Sequence, residues 1–216
     1  MQARTELRII YAMTSEENHR WQFLKAVLRQ PRIVGAIAPS STAVSAELAA
    51  VVPKVGWPLV VELGPGTGSV TDAIAACLPA GGRHLAVEVD DELVTHLRRT
   101  RPHVETIWGD ACDLGALLDS ADADRVDAVV CALPWSLIGE GKQREILDQM
   151  AEVLVPGGVV SVLAYPHAHW LPRARDFRSA LNETFEEVVR SAVVWPNAPP
   201  AVVYTCRRPV SRVLSR

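Results

Sequence analysis

The sequence predicts an α/β fold, a mainly parallel sheet covered by helices and closed by an antiparallel hairpin. Three observations predict it. Short apolar, β-rich runs at 58–63, 83–89, 103–108, 126–132 and 158–164 are separated for the most part by helical patterns at 67–78, 91–100 and 140–153; neighbouring parallel strands require such crossovers. The first run feeds a glycine loop, ELGPGTG at 62–68. The tail departs from the alternation, because 184–195 (TFEEVVRSAVVW) and 201–207 (AVVYTCR) are joined only by Pro196-Asn197-Ala198-Pro199-Pro200. That link is too short for a helical crossover, so the two runs are expected to pair antiparallel.

Taken in order, the elements begin with a helix at 15–30 (SEENHRWQFLKAVLRQ), capped at Ser15, acidic in its first turn and stopped by Pro31. Ser40 or Ser41 caps a second helix running to about Val52, where Pro53 ends it. The 216 residues, 49% hydrophobic and 22% charged, suit one globular unit with a substantial core. Within it, residues 1–53 read as an amino-terminal helical segment and 54–216 as the domain that carries the glycine loop.

Composition excludes several classes. No run approaches the roughly 20 apolar residues that span a bilayer, and the first 30 residues lack a secretory signal's apolar core, so a cytosolic location is expected. Cys77, Cys112, Cys131 and Cys206 are scattered without C-x-x-C spacing, which suggests neither a metal site nor a disulfide framework. A net charge of −3 gives no global attraction for nucleic acid. The charge is uneven, however: Arg4, Arg8, Arg20, Lys25, Arg29 and Arg32 face three Glu before Gly35, so the amino-terminal arm is basic.

In the loop, Gly64, Gly66 and Gly68 let the backbone turn tightly and approach a ligand. The spacing is not the dinucleotide fingerprint, whose third glycine would fall at Ser69. Glu62 lies beside the glycines, where a carboxylate repels a pyrophosphate but suits a cationic amino group. Glu88 ends the second run, placed to accept from ribose hydroxyls, and Asp110 follows the third, placed to accept from an adenine amino group. Each acid also has a simpler reading: Glu88, Asp90 and Asp91 as caps of the helix from 91, Asp110 as the cap of a short turn at 111–118. Three acids after three successive runs, together with the glycines, favour S-adenosylmethionine over NAD or another nucleotide.

Seven stretches then carry a closer resemblance: FLKAVLRQPRIVGAIAPSS (23–41), VVELGPGTGSVTDAI (60–74), AVEVDDEL (86–93), GDACDL (109–114), ALPWSLI (132–138), LVPGGVVSVLAY (154–165) and NAPPAVVYTCRR (197–208). Together they resemble the bacterial phospholipid N-methyltransferases, which methylate phosphatidylethanolamine and have the Rossmann-like, seven-stranded class I methyltransferase fold. The resemblance implies that Glu62, Gly64, Gly66 and Gly68 line the cofactor pocket, with Glu88 and Val89 at the ribose, Asp110 and Ala111 near the adenine, Ala132 alongside, and Ser40 and Ser41 close by. It also implies a phospholipid amine as acceptor. The rRNA adenine dimethyltransferases are similar too, but Ala132-Leu133-Pro134-Trp135 lacks the amide of their Asn-Pro-Pro-Tyr motif, which counts against RNA.

Acceptor chemistry is less clearly marked. A reacting amine must be deprotonated, and Tyr165, His167, His169 and Tyr204 are base candidates, His having the most suitable unperturbed pKa. Trp135 follows the fourth run, where an indole holds a cation by π attraction or serves simply as a core aromatic. The helix at 15–30 sets Trp21, Phe23, Leu24, Val27 and Leu28 against His19, Gln22, Lys25 and Arg29. Amphipathicity alone favours a lid packed on the domain; the resemblance favours contact with an anionic membrane at the inner face. A soluble amine metabolite as acceptor, and a non-catalytic binding module, complete the alternatives.

Overall fold

A computed structural model of the chain describes residues 40–123, 125–165, 172–197 and 199–210. All of them lie in the unit Pro39–Arg216. The expected helix at 15–30 falls outside the described residues, as do His167 and His169.

The elements are α1 (Thr42–Ala49), β1 (Leu59–Leu63), α2 (Ser69–Cys77), β2 (Arg83–Glu88), α3 (Asp91–Thr100), β3 (Glu105–Trp108), a 3₁₀ turn (Ala111–Asp113), α4 (Leu114–Asp119), β4 (Val126–Cys131), α5 (Glu140–Val153), β5 (Leu154–Ala164), α6 (Pro172–Thr184), β6 (Phe185–Arg190) and β7 (Val202–Pro209). The sheet has seven strands in the order β3-β2-β1-β4-β5-β7-β6. The β3-β2-β1-β4-β5 pairs are parallel, and β7 runs antiparallel to both β5 and β6. This is the α/β architecture expected from the alternation, with the terminal hairpin inserted as the link length required.

Strand periodicity divides the core into two layers. Val61, Leu63, Val129, Cys131, Val160 and Val162 point to one face, where α4, α5 and α6 add Leu114, Leu118, Ile146, Leu147, Met150, Phe177 and Leu181. Val60, Ala128, Val130, Val159 and Leu163 point to the other, covered by Val44 and Leu48 of α1 and by Val70 and Ile74 of α2. All five residues of β1 are buried, as a central strand covered on both faces demands.

Local chemistry fixes the helix starts. The Asp90 carboxylate accepts from the Glu92 and Leu93 amides, and α3 then carries Asp91 and Glu92 in its first turn with Arg98 and Arg99 in its last, as the helix dipole favours. Ser41 caps α1, its Oγ accepting from Val44 N at 3.3 Å. At the other end of α1, the Ser161 hydroxyl donates to the Leu48 carbonyl at 2.8 Å within the core.

Two boundaries and one helix depart most from the sequence reading. β5 begins at Leu154 rather than 158, because the chain turns extended as α5 ends and the β4–β5 register shifts between Val126 and Ala128. The run expected over 184–195 ends at Arg190; beyond it only Val194 bridges to Ala201. The helix α6 was not foreseen. Phe177, Ala180 and Leu181 form its narrow buried stripe, and the rest of its sequence is too polar to mark a core helix.

Ser161→Ala leaves the Leu48 carbonyl buried without its donor. The substitution is expected to cost about 2 kcal/mol and lower Tm by about 4–8 °C; thermal melts check this.

Candidate functional site

The strand order reverses between β1 and β4, and in open α/β sheets ligands bind outside the carboxyl ends of the strands at such a switch point. Backbone hydrogen bonds carry the register past the strands at this edge. Gly64 N donates to Val87 O at 3.0 Å, Gly109 N to Glu88 O at 3.0 Å, and Ala132 N to Leu63 O at 2.9 Å. The structure thereby brings Glu62, Gly64, Glu88, Asp110 and Ala132 onto one level of one edge.

Glu88 is the most constrained of them. Its side chain is buried, with Oε1 accepting from the amides of Val89 (2.9 Å) and Asp90 (3.0 Å) and Oε2 from Gly66 N (3.1 Å). The carboxylate therefore ties the turn after β2 to the glycine loop after β1. Burial pushes its pKa above the usual carboxylate range, against the three amide bonds that lower it, and Asp90 adds to the rise. A ligand hydroxyl donating here would stabilise the charged form. The helix cap proper is Asp90, so the capping alternative holds for that residue and not for Glu88.

Gly64, Gly66 and Gly68 all have positive φ. A Cβ on Gly66 would meet nothing within 4 Å, so the loop presents bare backbone to open space, the surface a closely approaching ligand requires. Gly68, at φ +91°, is different. A Cβ there would lie 2.4 Å from the Arg101 guanidinium, which Asp72 holds through two bonds of 2.7 Å. That pair fastens α2 to the end of α3 directly behind the loop.

Glu62 is wholly buried on the face toward α2. Its Oε2 accepts from the Thr71 hydroxyl at 2.8 Å and lies 3.1 Å from His84 Nε2, while Oε1 has no hydrogen-bond partner. An orphaned buried carboxylate oxygen beside a glycine loop fits a ligand with a donor ammonium group. Thr71 and His84 were passed over in the sequence. His84 is a polar residue inside the apolar run RHLAVE, and that anomaly was the available signal.

Asp110 serves two partners. Oδ1 accepts from Cys112 N at 3.1 Å, capping the 3₁₀ turn, and Oδ2 pairs with Lys142 Nζ at 2.6 Å. The capping alternative is thus present, and Lys142 of α5 is a partner that sequence spacing could not supply. Val89 is half-buried and accepts at its carbonyl from the exposed Trp108 indole (3.2 Å), while Ala111 is buried under the turn.

Past the ends of β4 and β5, Ala132 and Tyr165 pack against the apolar layer that α1 forms with the sheet. Burial raises the Tyr165 pKa, so the phenol stays protonated and is a poor base. Trp135 is 4% exposed and stacks on Phe177 with ring centroids 4.4 Å apart. One ring face is therefore occupied by core packing, while its Nε1 has no partner. Tyr204 is buried in β7. Burial also pushes the Cys131 and Cys206 thiols up to about 12, which removes them as thiolate nucleophiles. Ser40 and Ser41 are half-buried at the start of α1, and Ser41 N donates to Asn197 Oδ1 at 2.8 Å.

Residues 60–158 match the family described as Methyltransferase domain. An ornithine lipid N-methyltransferase from Singulisphaera acidiphila is 29% identical over 189 residues, covering 86% of this chain and 94% of that protein. An O-methyltransferase from Bacillus cereus, solved in complex with SAH, superposes with a TM-score of 0.60 at 15% identity over 88% of this chain and 91% of its own. A putative rRNA methylase from Clostridium thermocellum gives 0.58 at 19% identity, covering 82% and 98%. These solved structures share the class I fold.

Because burial raises Glu88, the folded state keeps its proton to higher pH than the unfolded chain. The resulting stability is complete below the unfolded pKa and is lost as pH rises through the folded one. Glu88→Gln is expected to flatten that dependence in thermal melts. By calorimetry it is expected to weaken S-adenosylhomocysteine binding about 10- to 100-fold.

Proposed function

The chain is an S-adenosylmethionine-dependent methyltransferase, and we propose that it N-methylates the amine head group of a phospholipid such as phosphatidylethanolamine. The observation that carries this reading is the extent of the likeness to the ornithine lipid enzyme. It runs over 189 residues, nearly twice the length of the matched methyltransferase domain, and so reaches well beyond the generic cofactor core. Both head groups offer a primary amine at the end of a lipid.

Bound S-adenosylmethionine supplies an electrophilic methyl group on a sulfonium, and displacement by an amine asks the protein chiefly for alignment. In this reading Glu88 holds the ribose, Asp110 kept in place by Lys142 holds the adenine side, and the free oxygen of Glu62 receives the ammonium of the methionine portion. Gly64, Gly66 and Gly68 keep backbone, with no side chain, against the ligand. Val89, Ala111 and Ala132 provide the apolar walls, and Ser40 and Ser41 border them. The acceptor amine loses its proton before attack. His167 is the base assigned to that step, since Tyr165 is held protonated. Trp135, stacked on Phe177 in the core, supports the loop after β4 in this reading.

No helix among the described residues is long and apolar enough to cross a membrane. The lipid is therefore met from the surface in this proposal, with the basic, amphipathic stretch 15–30 lying on anionic lipid at the inner face. Each Lys or Arg near such a surface contributes about 1 kcal/mol. Lys25→Glu with Arg29→Glu is expected to abolish co-sedimentation with anionic vesicles while leaving S-adenosylhomocysteine binding intact.

The acceptor is tested by incubating the enzyme and methyl-labelled S-adenosylmethionine with a total-lipid extract and, separately, with a soluble-metabolite extract. Label in an aminolipid is expected. Label confined to the soluble extract would overturn the lipid reading in favour of a small amine.

A further inference from the structure

We infer that Asn197 is a positioning residue for the acceptor side of the site, clasping the entry to α1 onto the loop between β6 and β7. The inference deepens the methyl-transfer reading above and does not require the acceptor to be a lipid.

The contact joins two segments 156 positions apart. Asn197 Oδ1 accepts from Ser41 N at 2.8 Å, and its Nδ2 donates to Pro199 O at 2.7 Å. The residue is 9% exposed. Both ends of a buried amide are satisfied, and a flipped amide would set an NH₂ against an N–H and an oxygen against a carbonyl, so its orientation is determined. The loop itself is closed by mutual backbone hydrogen bonds between Val194 and Ala201 and tightened by Asn197 N donating to Trp195 O at 2.7 Å.

The clasp lies at the edge that carries the site. Ala164 at the end of β5 pairs with Val202 at the start of β7, so the β6–β7 loop emerges beside Tyr165. Val194, Tyr165 and Ala132 pack against the same apolar group, made by α1 with β4, β5 and β7. Ala132 follows β4, Tyr165 follows β5 and Val194 lies in the loop before β7, whereas Glu88 ends β2 and Asp110 follows β3 on the other side of the switch point. The fold does not need Asn197 to bring these elements together. β7 is paired on both sides, and α1 is anchored separately through Leu48 and Ser161. What Asn197 adds is a fixed spacing between the chain entering α1 and the loop, which sets the width of the acceptor side without touching Glu62, Glu88 or Asp110.

The test compares Asn197→Ala with Asn197→Asp, whose carboxylate still accepts from Ser41 N. Asn197→Ala is expected to raise the KM for phosphatidylethanolamine vesicles about tenfold, clearly more than it weakens S-adenosylhomocysteine binding, with kcat within about twofold of wild type. Amide hydrogen exchange at residues 41–45 is expected to quicken in Asn197→Ala, and Asn197→Asp, which keeps the acceptor for Ser41 N but sets an oxygen against the Pro199 carbonyl, is expected to restore both properties only in part. A parallel loss of acceptor and S-adenosylhomocysteine affinity would overturn the inference, as would exchange at 41–45 unchanged by Asn197→Ala. If wild-type enzyme labels no lipid, the lipid reading fails by itself. The clasp is then decided by the exchange result and by the KM of the soluble amine that takes the label.

Discussion

A carboxylate buried at the end of β2 must be hydrogen-bonded, and Glu88 meets that demand by holding the glycine loop. Its three acceptor contacts, to Gly66, Val89 and Asp90, join the turns that follow β1 and β2. Burial still raises its pKa, so the charged form is held at a cost to the empty protein. In the proposed reading, this buried carboxylate beside a bare glycine backbone is where the ligand is held. Behind it, the Asp72–Arg101 pair fixes α2 and leaves no room for a side chain at Gly68.

From that point the sheet edge divides by chemistry. The ends of β1, β2 and β3 carry Glu62, Glu88 and Asp110, three carboxylates set for a ligand with an ammonium and several hydrogen-bond donors. The ends of β4 and β5 and the start of β7 carry Ala132, Tyr165 and the β6–β7 loop. In the proposed reading, the sulfonium donor and the amine acceptor lie on either side of the reversal of strand order between β1 and β4.

Much of this was legible in the sequence because it rests on local signals. The alternation of strands and helices, the glycine spacing and the three acids are read directly from short windows, and the five-residue link correctly implied an antiparallel hairpin. The misses have a common physical origin, which is that each depends on a partner distant in the chain. Thr71 and His84 matter because tertiary packing sets both against Glu62, Lys142 because α5 carries it to Asp110, and Asn197 because the hairpin loop meets the start of α1. Likewise α6 escaped notice because it buries only a narrow stripe. Trp135 was legible as an aromatic after β4 but not in its packing, since its neighbour Phe177 lies on that unforeseen helix.

The central claim is that the cofactor occupies the β1–β3 half of the edge with Glu88 as its anchor. A crystal structure with S-adenosylhomocysteine bound tests it most directly. The ribose hydroxyls are expected within hydrogen-bonding distance of the Glu88 carboxylate, with the Gly66 backbone against the ligand. Ligand lying over β5 and β7, with Glu88 contacting only backbone amides, would contradict it.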